Sequence, residues 1–294
     1  MIIGIGGVNI DFKYTLHSNK LHSSNEATLT QTYGGVIRNV LENLGKLNQD
    51  VYLVSFIGDD YLGKDIINYS KQYMDVSLVE KTDKPTGTYV ALSYQQELLI
   101  GASSIDLSFS LDYLKKIEDK LIKADMLIFD SNLSKESISY LIELGSKHHI
   151  KTILIGVSVP KMKNLPDSLA GLYLSIHNMD EIKAYLKSES DGLSLNKTLK
   201  QKGVKHSIIT DGKNNLYYNT YQIQVKENKQ ILDSTGLGDA FSSGVIYGDI
   251  KGYTIEYACV IGNTNSYYTT MTIDSVRRDL SEEKLLKEVD EYYD

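Results

Sequence analysis

The densest chemistry in the 294-residue chain lies at residues 233–244, DSTGLGDAFSSG. Strand-forming residues precede this stretch and small residues follow it, so Gly236 and Gly238 stand where the chain enters a helix. The first N–H groups of a helix have no helical acceptor. Glycines let such groups turn toward one point, making a nest for an oxyanion with the positive end of the helix behind it. Asp239 then puts a carboxylate beside an anion site. Two uses fit that pairing. In phosphoryl transfer the acid takes the proton of an attacking hydroxyl while the nest neutralises charge on the transferred group. In the plainer alternative, Asp239 stabilises the dipole of the helix it begins.

These groups must be positioned by elements that the hydrophobic pattern makes visible. Residues 2–6 are a short apolar run closed by glycines, the pattern of a buried strand. Apolar residues at 36, 37, 40, 41, 44 and 47 have the spacing of an amphipathic helix. The same signals predict strands at 51–57, 126–129, 150–155 and 207–210. They predict helices at 63–73, 113–122, 135–147, 180–187, 240–247, 255–267 and 282–292. Strands separated by such helices indicate βαβ units and a mostly parallel sheet covered on both faces, a three-layer α/β/α sandwich. Two stretches, about 12–33 and 86–101, alternate with period two instead. They predict antiparallel strands with one wet face, a small β lid over one end of a single domain spanning 1–294. The acidic end, EEKLLKEVDEYYD, reads as a solvated last helix.

Composition removes several function classes. Lys plus Arg is 31 against 38 Asp plus Glu, a net charge of −7, which is unsuited to a nucleic-acid backbone. The 22 tyrosines lack the basic interleaving of a single-strand binder and read as core and lid residues. Cys259 is the only cysteine, so neither an internal disulfide nor a cysteine-based zinc site is expected. The six histidines are scattered, and His148 and His149 point to different faces of a helix. No run of 18 apolar residues occurs, so no membrane span is expected. The opening MIIGIGGVNID has no basic leader, and a cytoplasmic protein is the expectation. A GxxxxGK[ST] loop is missing, and Asn9 stands where a dinucleotide fingerprint needs its third glycine. Residues 156–160 hold Ser158 without the second glycine of a nucleophile elbow.

Three motifs occur in one order. GGVIRN (34–39) opens a predicted helix, NMDE covers 178–181, and DSTGLGD covers 233–239. In order and approximate spacing they resemble the signatures of the ribokinase-like (PfkB) family of sugar and nucleoside kinases, along essentially the whole chain. The resemblance implies a ribokinase-like fold, ATP and Mg2+ as cofactors, and a small-molecule nucleoside or sugar as acceptor. A monovalent cation such as K+ stays open. Asp239 takes the place of the catalytic base, with Gly236, Leu237 and Gly238 as the anion hole. Asn178 and Glu181 match the motif that positions magnesium and phosphates through water, although an NxxE alone is usually a helix cap. Thr210 and Gly212 match a turn beside the nucleotide, and Asn263 in the late helix belongs to the same site.

On the acceptor side, Asn9 and Asp11 match the polar pair that grips sugar hydroxyls, with Gly34, Gly35 and Asn39 completing the pocket. A carboxylate can accept from two vicinal hydroxyls at once. GGVNIDFK, GGVIRNVLENLGKL, PTGTYVAL, FDSNLS and GVSVPKMKNL are similar to stretches of the family's pseudouridine-phosphorylating branch. Lys13, Arg38 and the Pro160-Lys161 pair carry that similarity, while Asn132 falls where other members of the family place a substrate-contacting side chain. The resemblance implies that Lys13, Arg38 and Asn132 bind the acceptor. Arg38 has a second reading, as an exposed residue on a helix's first turns. The rival functions are a ribose, adenosine or similar kinase of the same family, and a nucleoside-binding regulator without turnover. Exposed lid edges suggest a homodimer.

Overall fold

The computed structural model describes residues 1–95, 97–105, 111–225, 228, 231, 232 and 235–293. Positions 233 and 234 of the DSTGLGD motif and position 96 of the second lid segment lie outside the described residues.

The opening apolar run is strand β1 (Ile2–Ile5), and it is apolar throughout because both of its faces are buried. Ile3 and Ile5 join one core, while Ile2 joins the other. Next come β2 (Asn9–Leu16), β3 (Ala27–Gly34), α1 (Val36–Lys46), β4 (Val51–Gly58), α2 (Tyr61–Ser70) and β5 (Asp75–Thr82). The second lid segment is a hairpin of two strands, β6 (Gly87–Tyr94) and β7 (Glu97–Ser104). The helix expected at 113–122 is two short ones, α3 (Leu111–Lys116) and α4 (Glu118–Leu121). Then follow β8 (Met126–Asp130), α5 (Lys135–His148), β9 (Lys151–Ile155), β10 (Leu174–Asn178), α6 (Met179–Leu186) and α7 (Gly192–Gln201). The chain ends with β11 (His206–Thr210), β12 (Asn215–Tyr218), β13 (Tyr221–Gln224), α8 (Leu237–Ile250), α9 (Ile255–Thr269) and α10 (Glu282–Tyr293).

The large sheet has the order β13-β12-β11-β10-β9-β8-β1-β4-β5. It is parallel from β11 to β5, with β12 and β13 added antiparallel at one edge. Apolar residues of α1, α2, α8, α9 and α10 fill one core, and those of α3 to α7 fill the other. The three layers are those the alternation implies. The small sheet has the order β3-β2-β6-β7. Each hairpin is antiparallel, and β2 runs parallel to β6 where the two hairpins join.

Two features bring the site residues together. The glycines of GIGG admit α1: a Cβ at Gly4 would lie 2.7 Å from Ile37 Cγ2 and from Leu41 Cδ1. Close helix packing explains them, in place of a dinucleotide turn. On the same face α8 and α9 cross tightly, since a Cβ at Gly244 would lie 2.7 Å from the Cα of Gly262.

Candidate active site

After β1 the chain leaves the main sheet and β2 enters the lid, where residues two apart on the strand share a face. Asn9, Asp11 and Lys13 therefore line one side of it, and Asn9 Nδ2 donates to Asp11 Oδ1. In the ladder Asn9 pairs with Gly34. A Cβ at Gly34 would lie 2.6 Å from both Asn9 Nδ2 and Asp11 Oδ1, so only glycine lets β3 pass this polar pair. Gly35 has φ 105, and a Cβ there would stand 2.3 Å from the carbonyl oxygen of Gly7. This left-handed residue turns the strand directly into α1, and four residues later the helix presents Asn39.

Asn39 reaches across to the other half of the site. Its Nδ2 donates to Asp239 Oδ2 at 2.6 Å, joining residues 200 positions apart. Asp239 sits in the first turn of α8, whose start is set by Gly236 at φ 82. A Cβ at Gly236 would fall 2.2 Å from the Ser275 carbonyl oxygen. Gly238 faces open space, with nothing within 4 Å of its Cβ position, so an anion can approach the first N–H groups of α8.

Desolvation pushes the Asp239 carboxyl up to about 7, helped by the negative charges of Asp130 and Asp11. The Asn39 hydrogen bond and the Arg38 charge oppose the rise. A carboxyl group with that proton affinity is matched to general-base work near neutral pH. Asp130, at the end of β8, is fully buried and also pushed up to about 7 by desolvation. Its Oδ1 accepts from the backbone N–H of Asn132 at 2.9 Å, and its Oδ2 has no hydrogen-bond partner among the described residues.

Beside Gly238 lies a cavity of about 270 Å³ whose lining includes Thr210, Gly212, Leu237, Phe241 and Asn263. Leu216 and Val225 add apolar wall. The Nδ2 of Asn263 is buried and has no hydrogen-bond partner among the described residues. An apolar slot with one unsatisfied amide donor suits a heterocyclic base, whose ring nitrogens accept hydrogen bonds.

Asn178 pairs in register with Thr210, so NMDE begins next to this cavity. Its local geometry is a capping box: Asn178 Oδ1 accepts from Glu181 N at 2.8 Å, and Glu181 Oε2 accepts from Asn178 N at 2.9 Å. Glu181 is buried and turned toward His177. The described residues contain no group of three or more metal-ligating side chains. The single carboxylate of this capping box, Glu181, fits magnesium carried mainly by phosphates and water, since the ion commonly takes only one or two protein carboxylates.

One expectation is corrected. Arg38 is not the exposed helix residue of its second reading, because it is 1% exposed and its guanidinium is engaged within the protein. Nη1 donates to Glu42 at 2.6 Å, Nε to Gly34 O at 3.0 Å, and Nη2 to Tyr33 O at 2.7 Å and to Asn39 Oδ1. Asn132 is half-buried just past β8. Sequence reasoning missed Asp130 and the walls Leu216, Val225 and Phe241. The aspartate stands in plain view in FDSNLS, while nothing distinguishes the apolar residues from ordinary core.

The parallel sheet and its lid form an α/β fold found in solved kinase structures. A carbohydrate kinase from Agrobacterium tumefaciens superposes with a TM-score of 0.82 at 22% identity, covering 98% of this chain and 96% of that one. Arabidopsis thaliana ribokinase, solved with ribose and ATP, does so with a TM-score of 0.77 at 17% identity, covering 98% of each chain. The fold is ribokinase-like. The profile of the pfkB family of carbohydrate kinases matches residues 1–270, and the chain belongs to that family. Among curated relatives, pseudouridine kinase of Escherichia coli K12 is 23% identical over 260 residues, 83% of this chain and 82% of that protein.

Proposed function

We propose that the protein phosphorylates the 5′-hydroxyl of pseudouridine, using ATP and Mg2+, to give pseudouridine 5′-phosphate. The observation behind this reading is the 2.6 Å bond from Asn39 to Asp239, which joins α1 to the glycine-lined start of α8, where the charge of Asp11 from β2 also bears on Asp239. Support for pseudouridine comes from the similarity of the β2, α1 and 130–134 stretches to that branch of the family, and from the bacterial relative.

Asp11 and Asn9 hold the ribose hydroxyls, and Lys13 and Asn132 border the base. Asn39 and Asp239 then face the 5′-oxygen. Asp239 takes its proton as the new P–O bond forms. The N–H groups at 236–238 neutralise charge on the transferred group. Thr210, Gly212 and Asn263 would hold ATP, the donor of that group, and Asn178 and Glu181 would hold Mg2+ through water, where the ion would offset negative charge on the phosphates. Closure of the lid keeps water from competing as acceptor.

No helix among the described residues is long and apolar enough to cross a membrane, and we place the protein in the cytoplasm. Leu98, Leu99 and Ile100 are exposed on the edge strand β7, where a second copy would pair to form a homodimer.

The test is a coupled ATP-consumption assay with Mg2+, run with and without K+, against pseudouridine, uridine, ribose and adenosine. The highest kcat/KM is expected for pseudouridine. Faster turnover of ribose would defeat the choice of acceptor. Ligand binding without turnover of any acceptor would favour a regulator.

A further inference from the structure

The buried guanidinium of Arg38 has no role in the steps above. Glu42 anchors it, itself held by Tyr69 Oη at 2.9 Å and Lys46 Nζ at 3.3 Å. Arg38 and Glu42 are each 1% exposed. Replacing such a pair by apolar groups often costs nothing, so a buried ion pair is weak grounds for stability alone. What distinguishes this pair is where its free edge goes. Nη2 donates to Asn39 Oδ1, and Asn39 Nδ2 donates to Asp239 Oδ2.

An asparagine amide is nearly symmetric in shape, and only its surroundings decide which end is oxygen. A guanidinium has donors and no acceptor, so it accepts only the oxygen end as neighbour. The NH2 end must then face Asp239. With the amide reversed, two sets of N–H would meet and the carboxylate would face an oxygen.

We propose that Arg38 is a positioning residue that acts through Asn39: it fixes the orientation of the amide so that a donor always meets Asp239 Oδ2, turning Oδ1 toward the acceptor hydroxyl. This rests on the reading of Asp239 as the base. The charged groups bearing on Asp239 are Arg38 from α1, Asp11 from β2 and Asp130 from β8. A donor to the ionised form holds the carboxyl's proton affinity down, so loss of that donor raises the titration midpoint. Arg38→Lys keeps the positive charge but has three donors for the four acceptors that the guanidinium serves. It therefore isolates orientation from charge.

The test is a carboxyl 13C NMR titration of the unliganded protein, with the Asp239 signal assigned by its loss in Asp239→Asn. The midpoint should rise by about one pH unit in Arg38→Lys and in Asn39→Ser. The double variant should show no further rise, because both changes cut one chain. An unmoved midpoint in Arg38→Lys, or additive rises in the double variant, overturns the proposal. If Arg38→Lys does not fold, Asn39→Ser decides: an unmoved midpoint there removes the chain's middle link and the proposal with it. In the kinase assay the acid limb of kcat should move the same way while the acceptor KM changes less. Absence of turnover in the parent would refute the functional reading and leave the NMR result readable.

Discussion

Replacing Asp239 by asparagine should damage catalysis and stabilise the fold together. The rise from 3.8 to about 7 means that the folded chain holds a proton on Asp239 that the unfolded chain releases. Stability therefore falls as pH climbs between those two values and stays low above the upper one. Taken at face value the rise corresponds to about 4 kcal/mol. The side chain keeps some contact with solvent, and screening reduces that figure to about 1–2 kcal/mol. The replacement amide can still accept from Asn39 through its oxygen, so the packing of α1 on α8 survives. Turnover loses its base and should drop by roughly two to four orders of magnitude. Urea unfolding at pH 5 and pH 8 measures the first effect, and the variant's advantage should grow with pH. The coupled assay measures the second. A variant less stable than its parent at pH 8 would refute the desolvation reasoning. Near-parental turnover would show that Asp239 is not the base.

Three further outcomes can be checked with the same tools. Gly35→Ala forces a side chain into a left-handed turn and against Gly7 O, and should cost about 2–3 kcal/mol in urea unfolding. Asp11→Ala should raise the acceptor KM by about 10–100-fold, with a smaller change in kcat, because the lost hydrogen bonds serve binding. Asn263→Leu removes the unpartnered donor of the apolar cavity. It should raise the ATP KM about tenfold without lowering stability, leaving the acceptor KM in place.

How much of this was legible in the sequence depends on what each residue does. The buried strands β1, β4, β8 and β9 and the helices α1, α5, α8 and α9 announce themselves by apolar period. β5 (DVSLVEKT) and β13 (YQIQ) do not, because partly exposed edge positions mix polar and apolar residues. Leu174–Asn178 was hidden by Ser175 and His177, which are polar yet buried. Within the second lid stretch the sequence does not mark where the chain turns, because no Asn-Gly or Asp-Gly stands near Gln95. In the site, Gly34, Asn39, Gly236 and Asp239 were found because motif spacing fixes backbone geometry. Arg38 was misplaced because one residue's position on a helix face depends on what packs there. Glu42, Tyr33 and Tyr69 come from α1, β3 and α2, and no local pattern joins them.

The meeting of Asn39 and Asp239 is fixed by helices rather than by a loop. α1 is seated on Gly4 and Gly6, and α8 is locked to α9 at Gly244 and Gly262. Between them runs a buried polar seam: Asn43 Nδ2 donates to Asn39 O at 2.8 Å, and Asn265 Nδ2 donates to Asn43 Oδ1 at 3.1 Å and to Ala240 O at 2.9 Å. Apolar packing alone lets helices slide by small amounts at little cost, whereas a buried amide displaced from its partner loses its hydrogen bond outright. The seam thus fixes the axial position of α1 against α8 and, through α9, that of Asn263 in the cavity of about 270 Å³. On the proposed reading of Asp239 as the base, such a site needs little reorganisation when its substrate arrives, which is where preorganised sites gain their rate.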